Sequence, residues 1–409
     1  MSGARQRNLE SLTRECRIVV CVGVGGVGKT TISAAIALGA ARLGMRALVI
    51  TIDPARRLAN ALGVEALSNE PKDLPEELVG PLEFVPGGKF QAMMLDMKRT
   101  FDDMVERFAE SPEVRDRVFE NPLYQHLSDS MAGSGEYAAM EKVYQVSRRG
   151  DFDLIVVDTP PSRHALDFLD APERMMEFLD SRIMKLLIHP AVSAGRFGLR
   201  IFQRGTQQVL GLIERVSGIA FLQDISEFLQ VVDGMSEGFH SRAHEVQSLL
   251  MGPDTGFVLI ASPTPESVEA SLRFLAQLED AKVPMAGIVL NRLREWPSGP
   301  SDTPNPAFNG EAEPVVGDPD LAPLTEALAP LCEPALAARA ARAAVNVARG
   351  YAELVALDRR STAPLRDRAR LGKLFLSSVP EFERDVHDLS GLDRVARTLF
   401  AVPNAAKNS

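Results

Sequence analysis

One octapeptide constrains the fold of this 409-residue chain more than any other stretch. Residues Gly23-Val24-Gly25-Gly26-Val27-Gly28-Lys29-Thr30 fit the pattern G-x-x-x-x-G-K-[ST]. The apolar run from Arg17 to Gly23 reads as a buried strand. Thr30 to Leu43, rich in Ala, Ile and Leu, has helical spacing. Strand, glycine loop and helix is the context in which such a loop wraps a phosphate. Glycines let backbone N–H groups converge on an anion, and the following helix presents its positive end to it. In this arrangement Lys29 reaches the β- and γ-phosphates and the Thr30 hydroxyl holds Mg²⁺. The candidate nucleotide-binding residues are therefore Gly23, Gly25, Gly26, Val27, Gly28, Lys29, Thr30 and Thr31. The competing reading, a tight glycine turn that binds nothing, does not account for Lys-Thr in register between these flanks.

Elsewhere strands alternate with helices. Strands are expected at Arg46–Asp53, Gln91–Asp96, Phe152–Asp158, Gly256–Ser262, Pro284–Asn291 and Lys373–Ser378. Helices are expected at Met97–Ala109, Glu266–Asp280, 333–357 and Leu392–Phe400, with 63–90 as a connection. Such alternation predicts an α/β fold, a P-loop NTPase with a mostly parallel sheet covered on both faces. The strand that ends in Asp158 has the Walker B pattern, an acid at the carboxyl end of a strand beside the loop. Two helical blocks, 97–149 and 171–251, interrupt the alternation. They read as one helical subdomain inserted around the Asp158 strand, within a single P-loop domain covering 1–409. Residues 296–322, rich in Pro, Gly, Asp and Glu, read as an exposed loop, and 401–409 as a polar tail.

Composition excludes several classes. The net charge of −10, with no long basic run, argues against a nucleic-acid partner, which needs a cationic face. Cys16, Cys21 and Cys332 form no C-x-x-C pair, which argues against a disulfide framework or a cysteine zinc site. A cytoplasmic setting is expected. The polar first residues do not read as a signal peptide. No apolar run approaches the roughly 18 residues of a membrane span.

The glycine loop, Thr51-Ile-Asp53-Pro54-Ala55-Arg56-Arg57-Leu58 and Asp158-Thr159-Pro160-Pro161-Ser162-Arg163-His164 together resemble the ArsA family. That family contains arsenical pump-driving ATPases and the targeting ATPases for tail-anchored membrane proteins. The resemblance extends to Pro265-Glu266 and Val289-Leu290-Asn291. It implies an ATPase using ATP and Mg²⁺, working as a homodimer or as a heterodimer with a paralogue. It further implies that Asp53 positions the attacking water, that Asp158 lies near Mg²⁺ and that Asn291 contacts the adenine. By themselves Asp53 is equally a helix cap before Pro54 and Asn291 equally a turn residue. His164 is expected to orient its loop, because phosphoryl transfer depends on positioning more than on proton abstraction.

The chain departs from the family where a second lysine usually stands in the loop; that position is Val24. Arg163 or Arg56 is a candidate to supply the missing charge, unless both face solvent or pair with carboxylates. Eleven of the fourteen methionines lie between Met93 and Met251, and Phe221, Leu222, Ile225, Phe228 and Leu229 form an apolar stripe. These residues either build the subdomain's own core or receive an apolar protein client or membrane-associated partner. The expected function is a Mg-ATP-hydrolysing switch that moves such a subdomain. The alternatives are an arsenite efflux pump subunit, for which thiolate ligands are wanting, and a MinD/ParA-like positioning ATPase, for which a basic or membrane-anchoring face is wanting.

Overall fold

The computed structural model describes residues 8–52, 57–109, 111–121, 124–125, 134–160, 236–296 and 321–401. The chain begins with α1 (Leu9–Glu15), β1 (Ile18–Val22), α2 (Lys29–Arg42), β2 (Arg46–Thr51) and α3 (Arg57–Leu62). Next come β3 (Lys72–Asp73), α4 (Glu76–Val79), β4 (Lys89–Met94), α5 (Met97–Phe108) and α6 (Pro112–Glu120). Then follow α7 (Ser134–Arg149), β5 (Leu154–Asp158), α8 (Ser236–Leu250), β6 (Thr255–Ala261), α9 (Pro265–Asp280) and β7 (Met285–Leu293). The last elements are α10 (Ala322–Leu328), α11 (Pro334–Leu371), β8 (Phe375–Pro380) and α12 (Leu389–Phe400).

Eight strands make one sheet in the order β3-β4-β2-β5-β1-β6-β7-β8. Only the two-residue β3 runs antiparallel; the other neighbours are parallel. The apolar runs of β1, β5 and β6 are buried along their whole length, as a strand covered on both faces requires. Alternate side chains feed two cores. Ile18, Val20 and Val22 pack with Leu48, Ile50, Ile155 and Val157 beneath α7, α8 and α9. Val19 and Cys21 pack with Val49, Val156 and Val258 beneath α1, α2 and α12. α2 is buried nearly all round, which explains why its sequence has no polar face.

The expected elements recur with most ends shifted by up to three residues, the helix Ala322–Leu328 was not expected, and other differences have a clear cause. The helix expected at 333–357 runs to Leu371, through Pro364. Pro364 lies on the exposed side, while Ala352, Val355, Thr362, Leu365 and Ala369 keep one face buried; packing outweighs the local break. The last strand is Phe375–Pro380 and not Lys373–Ser378. Lys373 takes a φ of 54° and its N–H bonds to Arg370, so it still belongs to the turn that ends α11. The connection 63–90 contains β3 and α4. The helix α1 was not expected. A reciprocal cap between Asn8 and Ser11 starts it, and buried Leu9 and Leu12 hold it. Of the second helical block, residues 171–235 and with them the Phe221–Leu229 stripe lie outside the described residues, as do 297–320 and 402–409.

α7 carries two adjacent charges that are fully buried. Glu141 meets Arg107 of α5 at 3.3 Å and Arg242 of α8 at 3.4 Å, and accepts from Gln145 at 3.0 Å. Lys142 meets Glu70, in the segment after α3, at 2.8 Å and Asp103 of α5 at 3.8 Å. Glu70 also accepts from Arg149, at 2.7 Å. The two charges thus tie α7 to different neighbours. Five residues after α7, β5 begins and leads to Asp158.

Candidate active site

The carboxyl ends of β1, β2, β5, β6 and β7 meet at one edge, which is where ligands bind in open α/β sheets. β1 delivers Gly23. A Cβ there would stand 2.3 Å from the Ile260 carbonyl oxygen of β6, so glycine lets the loop cross the strand end. Gly28 has a φ of 89° and caps α2. Lys29, the first residue of that helix, is buried, and its Nζ donates to the Gly23 oxygen at 2.9 Å and the Val24 oxygen at 3.1 Å. The ammonium is therefore folded into the loop's own carbonyls. Thr30 and Thr31 follow, both half-buried. Val24 packs against the core beneath α2.

Asp158 ends β5, in register with Cys21 of β1 and Thr51 of β2. It is fully buried, and its Oδ2 accepts from the Thr51 hydroxyl at 2.9 Å. The next residue, Thr159, donates through its hydroxyl to the Cys21 oxygen at 2.8 Å. Burial, reinforced by the Asp158 carboxylate and opposed by Ser33 and Lys29, pushes the Cys21 thiol up to about 12. Cys21 is thus a neutral packing group beneath the site. Asn291 lies at the end of β7, buried, and its Nδ2 donates to the Val27 oxygen at 2.8 Å.

A cleft of about 310 Å³ opens at this edge. It is lined by Gly26, Gly28, Lys29, Thr30, Thr31 and Thr159, by Arg57, Asn60 and Ala61 of α3, and by Val386 and His387. Its size falls in the range of small-molecule and cofactor sites. The structure thus brings the loop residues, Asp158 and Asn291 to one edge. Asp53, Arg56, Arg163 and His164 lie outside the described residues. Arg57 belongs to the Thr51–Leu58 stretch, whereas four lining residues carried no motif: Asn60, Ala61, Val386 and His387. The one sequence signal for the last two is topological. β8 is parallel to β7, so the chain after it returns to the same edge. Among the described residues no group of three or more His, Cys, Asp or Glu side chains converges on a metal site. That does not disfavour Mg²⁺, which takes one or two protein oxygens and completes its shell from phosphates and water.

A parallel sheet with a glycine loop between β1 and α2, and an acid at the end of the adjoining strand, defines a P-loop NTPase. The ArsA family, described as anion-transporting ATPases, matches residues 16–299. The chain belongs to this family and is an ATPase. It is 26% identical over 277 residues to the ATPase get3 of Schizosaccharomyces pombe, covering 66% of this chain and 71% of that one. It is 27% identical over 270 residues to the putative arsenical pump-driving ATPase 1 of Aquifex aeolicus, covering 63% and 60%. With the ATPase ARSA1 of Chlamydomonas reinhardtii the identity is 26% over 338 residues, covering 78% of this chain and 40% of that protein.

Proposed function

We propose that this ATPase is a Mg-ATP-dependent switch, a homodimer or a heterodimer with a paralogue, whose nucleotide state sets the posture of its helical subdomain. The observation that supports it most is the continuity from cleft to helices. Asp158 closes β5, and β5 is entered from α7, whose buried Glu141 and Lys142 grip α5, α8 and the Glu70 segment. A change at the phosphates has a short, packed route to that helical layer.

In this reading Gly23, Gly25, Gly26, Val27, Gly28, Thr30 and Thr31 cradle the phosphates, and Lys29 exchanges loop carbonyls for β- and γ-phosphate oxygens. The Thr30 hydroxyl and the Asp158 carboxylate, hard oxygen donors, would hold Mg²⁺, which neutralises charge on the transferring phosphoryl group. Asp53 orients the attacking water. A cytoplasmic setting suits the free cysteines, two of them buried. The partner proposed for the subdomain is an apolar protein segment. Among the described residues no helix is long and apolar enough to cross a membrane.

Isothermal titration and phosphate release test the chemistry. Lys29→Ala should abolish nucleotide binding, whereas Asp53→Asn should bind MgATP and hydrolyse it poorly. Normal turnover in Asp53→Asn removes that residue from the mechanism. A fluorescent hydrophobic helix should bind more tightly with a non-hydrolysable ATP analogue than with ADP. Equal binding in both states, or stimulation by arsenite alone, defeats the switch reading.

A further inference from the structure

The helix α11 has two halves with different neighbours. After Asp358 it packs on the sheet. Leu365 and Ala369 enter the core, Asp358 meets Arg294 just past β7 at 3.2 Å, and the Ser361 hydroxyl donates to the Pro263 oxygen just past β6 at 2.6 Å. Before Asp358 the helix runs on beyond the strand ends for roughly 35 Å, at about 1.5 Å per residue. There Ala337, Ala341, Ala352 and Val355 are buried on its inner side. Its outer side carries a second seam. Leu336, Ala340, Ala343, Val347, Gly350 and Leu354 follow one another at alternating steps of four and three, the spacing of a helix that packs along another helix. Leu336 is 53% exposed, Val347 73% and Leu354 42%, so the subunit does not cover this seam. Gly350 adds an independent sign. Glycine weakens a helix interior relative to alanine, and a Cβ at this position would meet nothing within 4 Å among the described residues. Nothing there asks for glycine; a second helix backbone at close range does.

We infer that this seam receives the same seam of a second copy of the chain, laid antiparallel about a two-fold axis near Val345. Such a contact is self-complementary, as two-fold symmetry requires. In that register Leu336 lies across from Leu354, Ala340 across from Gly350 and Ala343 across from Val347. Leucine thus meets leucine, and two of the smallest residues share the layer where the backbones come closest. The flank of the seam that faces away from the subunit carries Arg339, Asn346 and Glu353 at seven-residue intervals. The same register sets Arg339 of each copy beside Glu353 of the other, and Asn346 beside its counterpart. Arg339 and Glu353 are exposed and form no ion pair inside the subunit among the described residues. The neighbouring registers set Arg339 against Arg360 or against Asn346 instead. A parallel pair would turn each free flank towards the other copy's buried side. A seam roughly 30 Å long buries on the order of 1,000 Å², the low end of specific interfaces, so association should depend on concentration. The inference rests on the dimeric reading above and deepens it, by naming a surface that joins the copies whether or not nucleotide is bound.

Sedimentation velocity of the whole chain over a concentration series, without nucleotide and with a non-hydrolysable ATP analogue, gives the dimer dissociation constant. Without nucleotide, Leu354→Asp should weaken it at least about thirtyfold, since a carboxylate enters two apolar layers. Gly350→Leu favours the helix yet should weaken association by a similar factor. Arg339→Glu and Glu353→Arg should each weaken it about tenfold, because like charges then face each other at two symmetric places. Arg339→Glu combined with Glu353→Arg should return to within about threefold of the parent, a rescue that a local helix effect would not give. All four positions are exposed, so thermal unfolding should show each variant folded. A dimer whose constant these substitutions leave unchanged, or whose charge swap restores nothing, overturns the inference and leaves the dimeric reading standing. A parent that stays monomeric in every nucleotide state defeats the dimeric reading, and the seam with it. If Leu354→Asp keeps the dimer but loses a parental flotation with phosphatidylserine–phosphatidylcholine vesicles, the seam is a membrane contact and the inference falls.

Discussion

The pair Lys142–Glu70 sets up a perturbation whose two halves should differ. Lys142 has no exposed side-chain surface, while Glu70 keeps 47% of its own. Glu70→Ala leaves an ammonium in the interior with Asp103 at 3.8 Å as the nearest carboxylate. Breaking a buried pair this way costs about 3–5 kcal/mol. Water at the exposed Glu70 side and the remaining carboxylate reduce that to about 2–3 kcal/mol. Lys142→Met keeps the buried stem and removes the charge. Glu70 then retains Arg149 and solvent, and the cost should be about 0–1 kcal/mol. The double variant should match Lys142→Met alone. Thermal unfolding of all four proteins is the assay, with roughly 1 °C in Tm per kcal/mol for a chain of this length; denaturant midpoints provide a second scale. The pH dependence has a definite sign. Arg149 first, then Lys142, draw the Glu70 carboxyl down to about 2. A depressed carboxyl stabilises the fold above its unfolded value and stops doing so as pH falls. The gap between parent and Glu70→Ala should therefore be flat from about pH 5 to 8 and narrow from about 4.5 towards 2. If Lys142→Met costs as much as Glu70→Ala, the reasoning from a stranded interior charge is wrong.

Other sites give simpler tests. A Cβ at Gly39 of α2 would stand 2.2 Å from the Phe400 ring of α12, so Gly39→Ala should cost about 1–3 kcal/mol by overpacking; Phe400→Leu in the same chain should return part of it, read from denaturation midpoints. Because burial holds the Cys21 thiol near 12, a thiol reagent at pH 8 should leave it unlabelled until the protein unfolds, with Cys332, half-exposed, labelled first. Mass spectrometry of the labelled peptides decides, and rapid native labelling at Cys21 would contradict the packing described. Arg56→Ala or Arg163→Ala should lower turnover at least about tenfold with ATP affinity retained, if either supplies the charge missing at Val24; parental turnover in the double variant ends that proposal.

What could be read from the chain beforehand was local. The octapeptide is self-announcing because glycines, lysine and threonine stand between an apolar run and a small-residue helix, and β1, the loop and α2 follow in that order. The run ending in Asp158 was equally plain, since a strand buried on both faces leaves an unbroken apolar signature. Periodicity speaks only of neighbours in sequence, and the rest of the site is made across the sheet. Nothing in the surroundings of Asn60 or His387 marks them for the cleft; strand order does. Nothing in its sequence context singles out Lys142, because its burial is conferred by α5 and the Glu70 segment. α1 escaped notice because seven residues with two buried leucines lie below the length at which a helical pattern is distinguishable. The long reach of α11 through Pro364 is a packing decision that no helix propensity records.

His387 has a consequence for how the molecule is born. The glycine loop is made within the first thirty residues, but Val386 and His387, which also line its cleft, come much later, and the helix that packs on α2 at Gly39 is Leu389–Phe400. At synthesis rates of about 5–20 residues per second, the remaining stretch takes on the order of 20–70 s to emerge. During that interval the cleft lacks Val386 and His387, and the flank of α2 that receives Phe400 has no partner helix. A nascent chain of this design cannot close its cleft early and must wait for its last helix, so a premature stop upstream of Val386 would leave a phosphate loop without a complete site and with a sticky helix exposed, a species for the quality-control machinery.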